Sequence, residues 1–125
     1  MNNEAFLKAY KEPRNGASFF VRHPLVHNFI FSDGMKDCAE AGCFWLLDVL
    51  ATEVKSKQFN DKNSVLCIVQ VTVKDLNCKI TGEFFDGDLT PYKKHITYTD
   101  FPEGKWNFYL SYEDGKVICY LPSEY

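Results

Sequence analysis

The sequence predicts an α+β domain: one long core helix packed on an antiparallel meander of about five strands, with a short N-terminal helix. Three observations carry this. Residues 35–55 have apolar side chains at helical spacing, with polar ones opposite. From residue 64 onward, apolar and polar residues alternate in runs broken by turn signals such as Asp86-Gly87 and Glu113-Asp114-Gly115. Finally, 125 residues with 46% hydrophobic and 25% charged content suit a single domain that can bury a core.

Taken in order, Asn2 or Asn3 caps a short helix carrying Phe6, Leu7 and Tyr10, and Pro13 with Asn15-Gly16 ends it. Residues 18–21 (SFFV) and 28–31 (NFIF) read as short strands on either side of a break at His23-Pro24. Ser32-Asp33-Gly34 turns the chain, and Ser32 or Asp33 caps the long helix. On a helical wheel Cys38, Ala39, Gly42, Cys43, Trp45, Leu46, Val49 and Leu50 share the core side. Phe44 falls among the polar residues, and Leu47 at their margin. Residues 55–63 form a polar connector. In the strands that follow, Val65, Cys67, Val69, Val71 and Val73 share one face, and on the next strand Cys78, Ile80 and Phe84 fall together. Residues 92–99 put Tyr92, Lys94, Ile96 and Tyr98 on one side, with Lys93, His95, Thr97 and Thr99 on the other. Trp106, Phe108, Leu110 and Tyr112 point inward, and Lys105, Asn107, Tyr109 and Ser111 outward. There is no repeat or linker.

Composition narrows the function classes. The charge is 14 − 17 = −3, with no basic run, so the sequence offers no electrostatic footprint for a nucleic-acid partner. The longest apolar run, CFWLL, is far short of the roughly 20 residues a membrane span needs. The polar N-terminal stretch has no signal-type apolar run, which points to the cytoplasm. Five cysteines, an odd count, read as reduced and mostly buried thiols. No glycine-rich phosphate loop is present, and no cofactor is expected.

Three constellations carry possible chemistry. His23, His27, Cys38 and Cys43 have the residue types of a zinc site. Pro24 and the strand-like flanks argue against a helix through the histidines, and Cys38 and Cys43 stand about 140° apart on the wheel. Core thiols are the simpler reading. A cysteine hydrolase would use Cys38, in the first helical turn where the dipole lowers a thiol pKa, with His95 and Asn107 in papain-like chain order, or His23 as base. The pleat, however, turns His95 and Asn107 away from the helix, beyond the roughly 3 Å that proton transfer needs. The third is a docking or dimer surface: Phe85, His95, Asn107 and Tyr109 on the outer sheet face, and Phe44 on the outer side of the helix. Alternatively, the N-terminal segment with Phe6, Tyr10, Phe19 and Phe20 covers that face.

The stretch FSDGMKDCAEAGCFWLLDVLATEV (31–54), with RHP upstream, ITYTDFP (96–102) and the terminal LPSEY (121–125), resembles a family of unknown function. Its members are small proteins of bacteriophages, prophages and other mobile elements. The family pattern is not built around cysteines at the positions of Cys38 or Cys43, and no activity, cofactor or catalytic residue comes with the resemblance. It implies a context: an accessory factor that binds and inhibits a host protein, including defence systems such as CRISPR nucleases. The expectation is a non-enzymatic protein-binding domain whose partner is a host protein, with a homodimer through the outer sheet face as a further possibility.

Overall fold

The computed structural model describes residues 1–54, 65–85 and 92–124. Helix α1 (Asn3–Lys11) is capped by Asn2, whose side chain accepts a hydrogen bond from Ala5 N at 3.0 Å. Strands β1 (Phe20–Arg22) and β2 (Phe29–Ser32) precede helix α2 (Asp33–Cys38). A wide turn (Ala39–Cys43) leads to α3 (Phe44–Val49) and a second wide turn (Leu50–Val54). Strands β3 (Val65–Lys74), β4 (Asn77–Phe85), β5 (Tyr92–Ile96), β6 (Gly104–Glu113) and β7 (Lys116–Tyr120) follow, then a single 3₁₀ turn (Pro122–Glu124). The connector at 55–63 and the turn at Asp86-Gly87 lie outside the described residues.

The α+β class holds, but the sheet is larger than the expected meander of about five strands. Among the described residues it has seven strands, in the order β1-β2-β7-β6-β3-β4-β5. The two short N-terminal strands join it, and β2 runs parallel to β7 with Phe29 opposite Val117 and Phe31 opposite Cys119. Strand β6 returns across the β3–β4 hairpin to pair with the far edge of β3. These are long-range pairings, and no local pattern specifies them. The strand expected at 92–99 ends at Ile96, because Tyr98 takes a left-handed backbone (φ 59°).

The long helix is present from Asp33 to Val54 but is broken at Gly42, where φ is +123°. Only glycine enters that conformation readily, and an added Cβ there would lie 3.0 Å from Met1 Cα. The break frees the Ala41 carbonyl, which accepts from Asn2 N at 2.7 Å instead. It also resets the wheel. Leu47, expected at the polar margin, is fully buried, while Trp45 is only half-buried.

The helices cover one sheet face. Cys67, Val69, Val71, Cys78, Ile80, Phe108, Leu110, Val117 and Cys119 point into the resulting core. Helix α1 lies on this same side: Phe6 packs edge-on against Phe101 and Trp106, with ring centroids 4.8 and 5.3 Å away. Its Tyr10 hydroxyl donates to Asn107 O and accepts from Asn107 N, capping the part of β6 that extends past β7. The N-terminal helix therefore does not cover the outer face, and Phe19 and Phe20 are exposed. No helix among the described residues is long and apolar enough to cross a membrane.

Candidate functional site

His23 turns out to be a structural histidine. The residues after it fold back so that Leu25 N and Val26 N both donate to its Nδ1 at 3.1 Å. An Nδ1 that accepts two bonds carries no proton, so Nε2 holds it and donates to Asp48 Oδ1 at 2.7 Å. With both nitrogens engaged and the ring buried, His23 has no lone pair left to act as a base. Replacing His23 with alanine strands two backbone donors and is expected to cost about 2 kcal/mol of stability. Asp48 is 61% exposed, so Asp48→Ala should cost under about 1 kcal/mol. Urea midpoints of the two variants test that order.

The five cysteines are all free and buried. Burial pushes the Cys38 thiol far up, with Cys43 and Asp37 adding to the effect and Arg14 opposing it. Cys43, which donates to Cys38 O at 3.1 Å, is pushed up to about 12 by burial. The helix dipole expected to activate Cys38 is outweighed by its removal from water. The pleat sends Cys78 inward and its neighbour Lys79 outward, and Lys79 pairs directly with His95. His95 is thus on the opposite side of the sheet from Cys38, and Asn107 is on that outer side too. Cys38, His95, Asn107 and His23 do not assemble into a hydrolase site. Nor do His23, His27, Cys38 and Cys43 assemble into a metal site: His27 is exposed, and no three His, Cys, Asp or Glu side chains among the described residues converge as ligands.

The outer sheet face does bring together Phe85, His95, Asn107 and Tyr109. Phe85 is 46% exposed, Asn107 and Tyr109 are half-buried, and Asn107 Oδ1 accepts from Gln70 Nε2 at 3.2 Å. Pairing across the strands lines up Ile30, Ile118, Ser111, Leu66 and Phe85 as one continuous band, mostly apolar. Phe44 is exposed but lies on the helical side, edge-on to Phe31 at 6.2 Å, so it belongs to a separate patch.

Sequence reasoning missed Glu124. Its buried carboxylate accepts from Ser32 Oγ at 2.5 Å, Leu121 N at 2.9 Å and Gly34 N at 3.3 Å. Ser32 in turn accepts from Met35 N as the cap of α2. The Ser-Asp-Gly turn and the Leu-Pro-Ser-Glu tail are therefore two halves of one lock. Gly34 is required by it, since a Cβ there would sit 2.7 Å from Glu124 Oε1. The available signal was an acidic residue in a tail that shares the resemblance with the turn.

By fold, this chain is a small α+β domain with helices on one face of a mixed seven-stranded sheet and its thiols sealed in the core. Residues 8–125 match the model of a family of unknown function, DUF6876, and the chain belongs to that family. No curated protein and no solved structure matches it.

Proposed function

We propose that the chain is a non-enzymatic binding protein that docks another protein on the outer face of its sheet. The band from Ile30 through Ile118 and Leu66 to Phe85 carries this reading. It is an apolar strip with an exposed aromatic at one end and Tyr109 in the adjacent row, the kind of surface that supplies interface anchors. The burial of every described thiol supports binding over covalent catalysis. The resemblance to proteins of phages and mobile elements makes a host protein the natural partner, with inhibition by occlusion of its surface as the mechanism. Self-association through the same strip is the second reading, since a strip of this kind can meet its own two-fold copy.

The test is affinity capture from host lysate alongside light scattering of the purified chain. A monomer that retains a host protein, with retention lost in Phe85→Ala and Leu66→Ser at unchanged melting temperature, is the expected result. A stable dimer dissociated by those same substitutions would replace the first reading with the second. Failure to retain any protein, with both variants silent in an infection assay, would overturn the proposal.

A further inference from the structure

The net charge of −3 conceals how the fold sorts its charges. On the outer sheet face, the ends of the strands nearest the β3–β4 turn form two rows by register. One row reads Lys105, Thr72, Lys79, His95, and the next reads Asn107, Gln70, Thr81, Lys93. Neither row contains a carboxylate. Lys94, between Lys93 and His95, faces the other way and is paired with Glu53 at 2.9 Å. Lys79, Lys93 and Lys105 have no ion-pair partner among the described residues. Strand spacing sets Lys105 and Lys79 about 10 Å apart, and Lys79 and Lys93, diagonal neighbours, about 7–8 Å apart.

A second observation concerns the tip beside these rows. Asp75, Leu76 and Tyr98 all have left-handed backbones, with φ of 51°, 64° and 59°. Asp75 and Leu76 take it as the two loop residues of the tight β3–β4 hairpin, a turn that favours positive φ at both positions, whereas for a side chain as large as Tyr98 it is a strained conformation of the sort retained at binding sites. The tip is held together by Thr99 N donating to Leu76 O and Asp75 N donating to Glu103 Oε1. Within it the Tyr98 ring is 88% exposed. The fold thus maintains strain to present an aromatic ring that contributes little to its own packing.

We propose that this corner binds single-stranded nucleic acid. Lys79, Lys93 and Lys105 meet phosphates, the Thr72 and Thr81 hydroxyls donate to the sugar–phosphate backbone, and an unpaired base stacks on Tyr98. A flat sheet face does not enter a duplex groove, and a base is free to stack on a tyrosine only when it is unpaired. An acidic peptide would satisfy the lysines but leave the ring without a complementary surface. Lysines that blunt an exposed sheet edge account for Lys93 on β5 and for Lys105 on the stretch of β6 beyond β7, but Lys79 lies on β4, which is paired on both sides. The site does not depend on the protein-docking reading.

Fluorescence anisotropy with a labelled oligothymidylate of about 15 nucleotides tests it, alongside a duplex of the same length and polyglutamate. The oligothymidylate is expected to bind more tightly than the duplex. Its log affinity should fall against log salt with a slope of about −2, for three phosphate contacts on a single strand. Changing Lys79, Lys93 and Lys105 together to glutamine should flatten that slope toward zero. Tyr98→Gly should weaken binding about fivefold or more with the slope intact, and leave the melting temperature level or raised, since glycine relieves the positive φ. Absence of oligothymidylate binding, equal binding of duplex, or preferential binding of polyglutamate would each overturn the proposal. So would a Tyr98→Gly variant that binds like the parent.

Discussion

Glu124→Ala is expected to remove about 3–5 kcal/mol of stability, because it strands the Ser32 hydroxyl and the backbone donors of Gly34 and Leu121 in a buried site. A domain of this size has roughly 5–15 kcal/mol in total, so the melting temperature should fall by about 10 °C or more. Glu124→Gln keeps a carbonyl acceptor but turns an amide toward other donors, and should lose about half as much. The coupling to Gly34 is the sharper measurement. Gly34→Ala alone drives a methyl group against the Glu124 carboxylate and should be destabilising by about 1–3 kcal/mol. In the Glu124→Ala background that obstruction is gone, and alanine's better helix propensity makes the same change neutral or favourable. Denaturant midpoints of the four proteins give the cycle. Additive losses would show that the carboxylate and the glycine do not form one lock.

The second large effect is alkaline unfolding driven by the core thiols. Burial pushes Cys38 and Cys119 far up and Cys43 and Cys67 up to about 12, whereas the same thiols in the unfolded chain ionise at about 8.5. The folded state therefore keeps protons that the unfolded state releases. Stability is complete below the unfolded value and is lost as the pH climbs toward the folded one. Each such group removes about 1.4 kcal/mol per pH unit, so these four together remove up to about 5.5 kcal/mol per unit. Urea midpoints should be level from about pH 6 to 8 and collapse between about pH 9 and 10.5. Burial also raises Tyr10 and Tyr92, which steepens the fall above about pH 10. Cys67→Ala should lower the baseline stability but make the fall shallower by one group. A level profile through about pH 10.5 would contradict it. Iodoacetamide at neutral pH should label the native chain slowly and all five thiols only in denaturant.

Much of the interior could be read from local pattern. Period-two alternation assigned Cys67, Val69, Val71, Trp106, Phe108 and Leu110 to the inner face and Phe85, His95, Asn107 and Tyr109 to the outer one, and the register agrees. Pleating depends only on residues two positions apart, so the alternation is visible without the fold. The same alternation places His95 on the face of the sheet away from Cys38. The helix was harder: its position was legible, but the wheel assumed a continuous turn through Gly42. Whether a glycine in a helical stretch is a small core residue or a break depends on what packs against it, here Met1 and Asn2. Seven strands rather than about five emerge because β1 and β2, too short to stand alone, are fixed by the partner they find in β7.

Local chemistry is enough to set the α+β class, the inner and outer faces of the strands, the Ser32 cap and the reduced, buried character of the thiols. Each depends on side-chain type and on neighbours within a turn or a pleat. Tertiary structure decided the parallel β2–β7 pairing, the break at Gly42, the sealing of both nitrogens of His23, and the gathering of lysines on one corner of an acidic chain. It also joined Ser32 to Glu124 across 92 positions. Such contacts depend on where the chain returns in space, and that is set by the burial of the whole core at once.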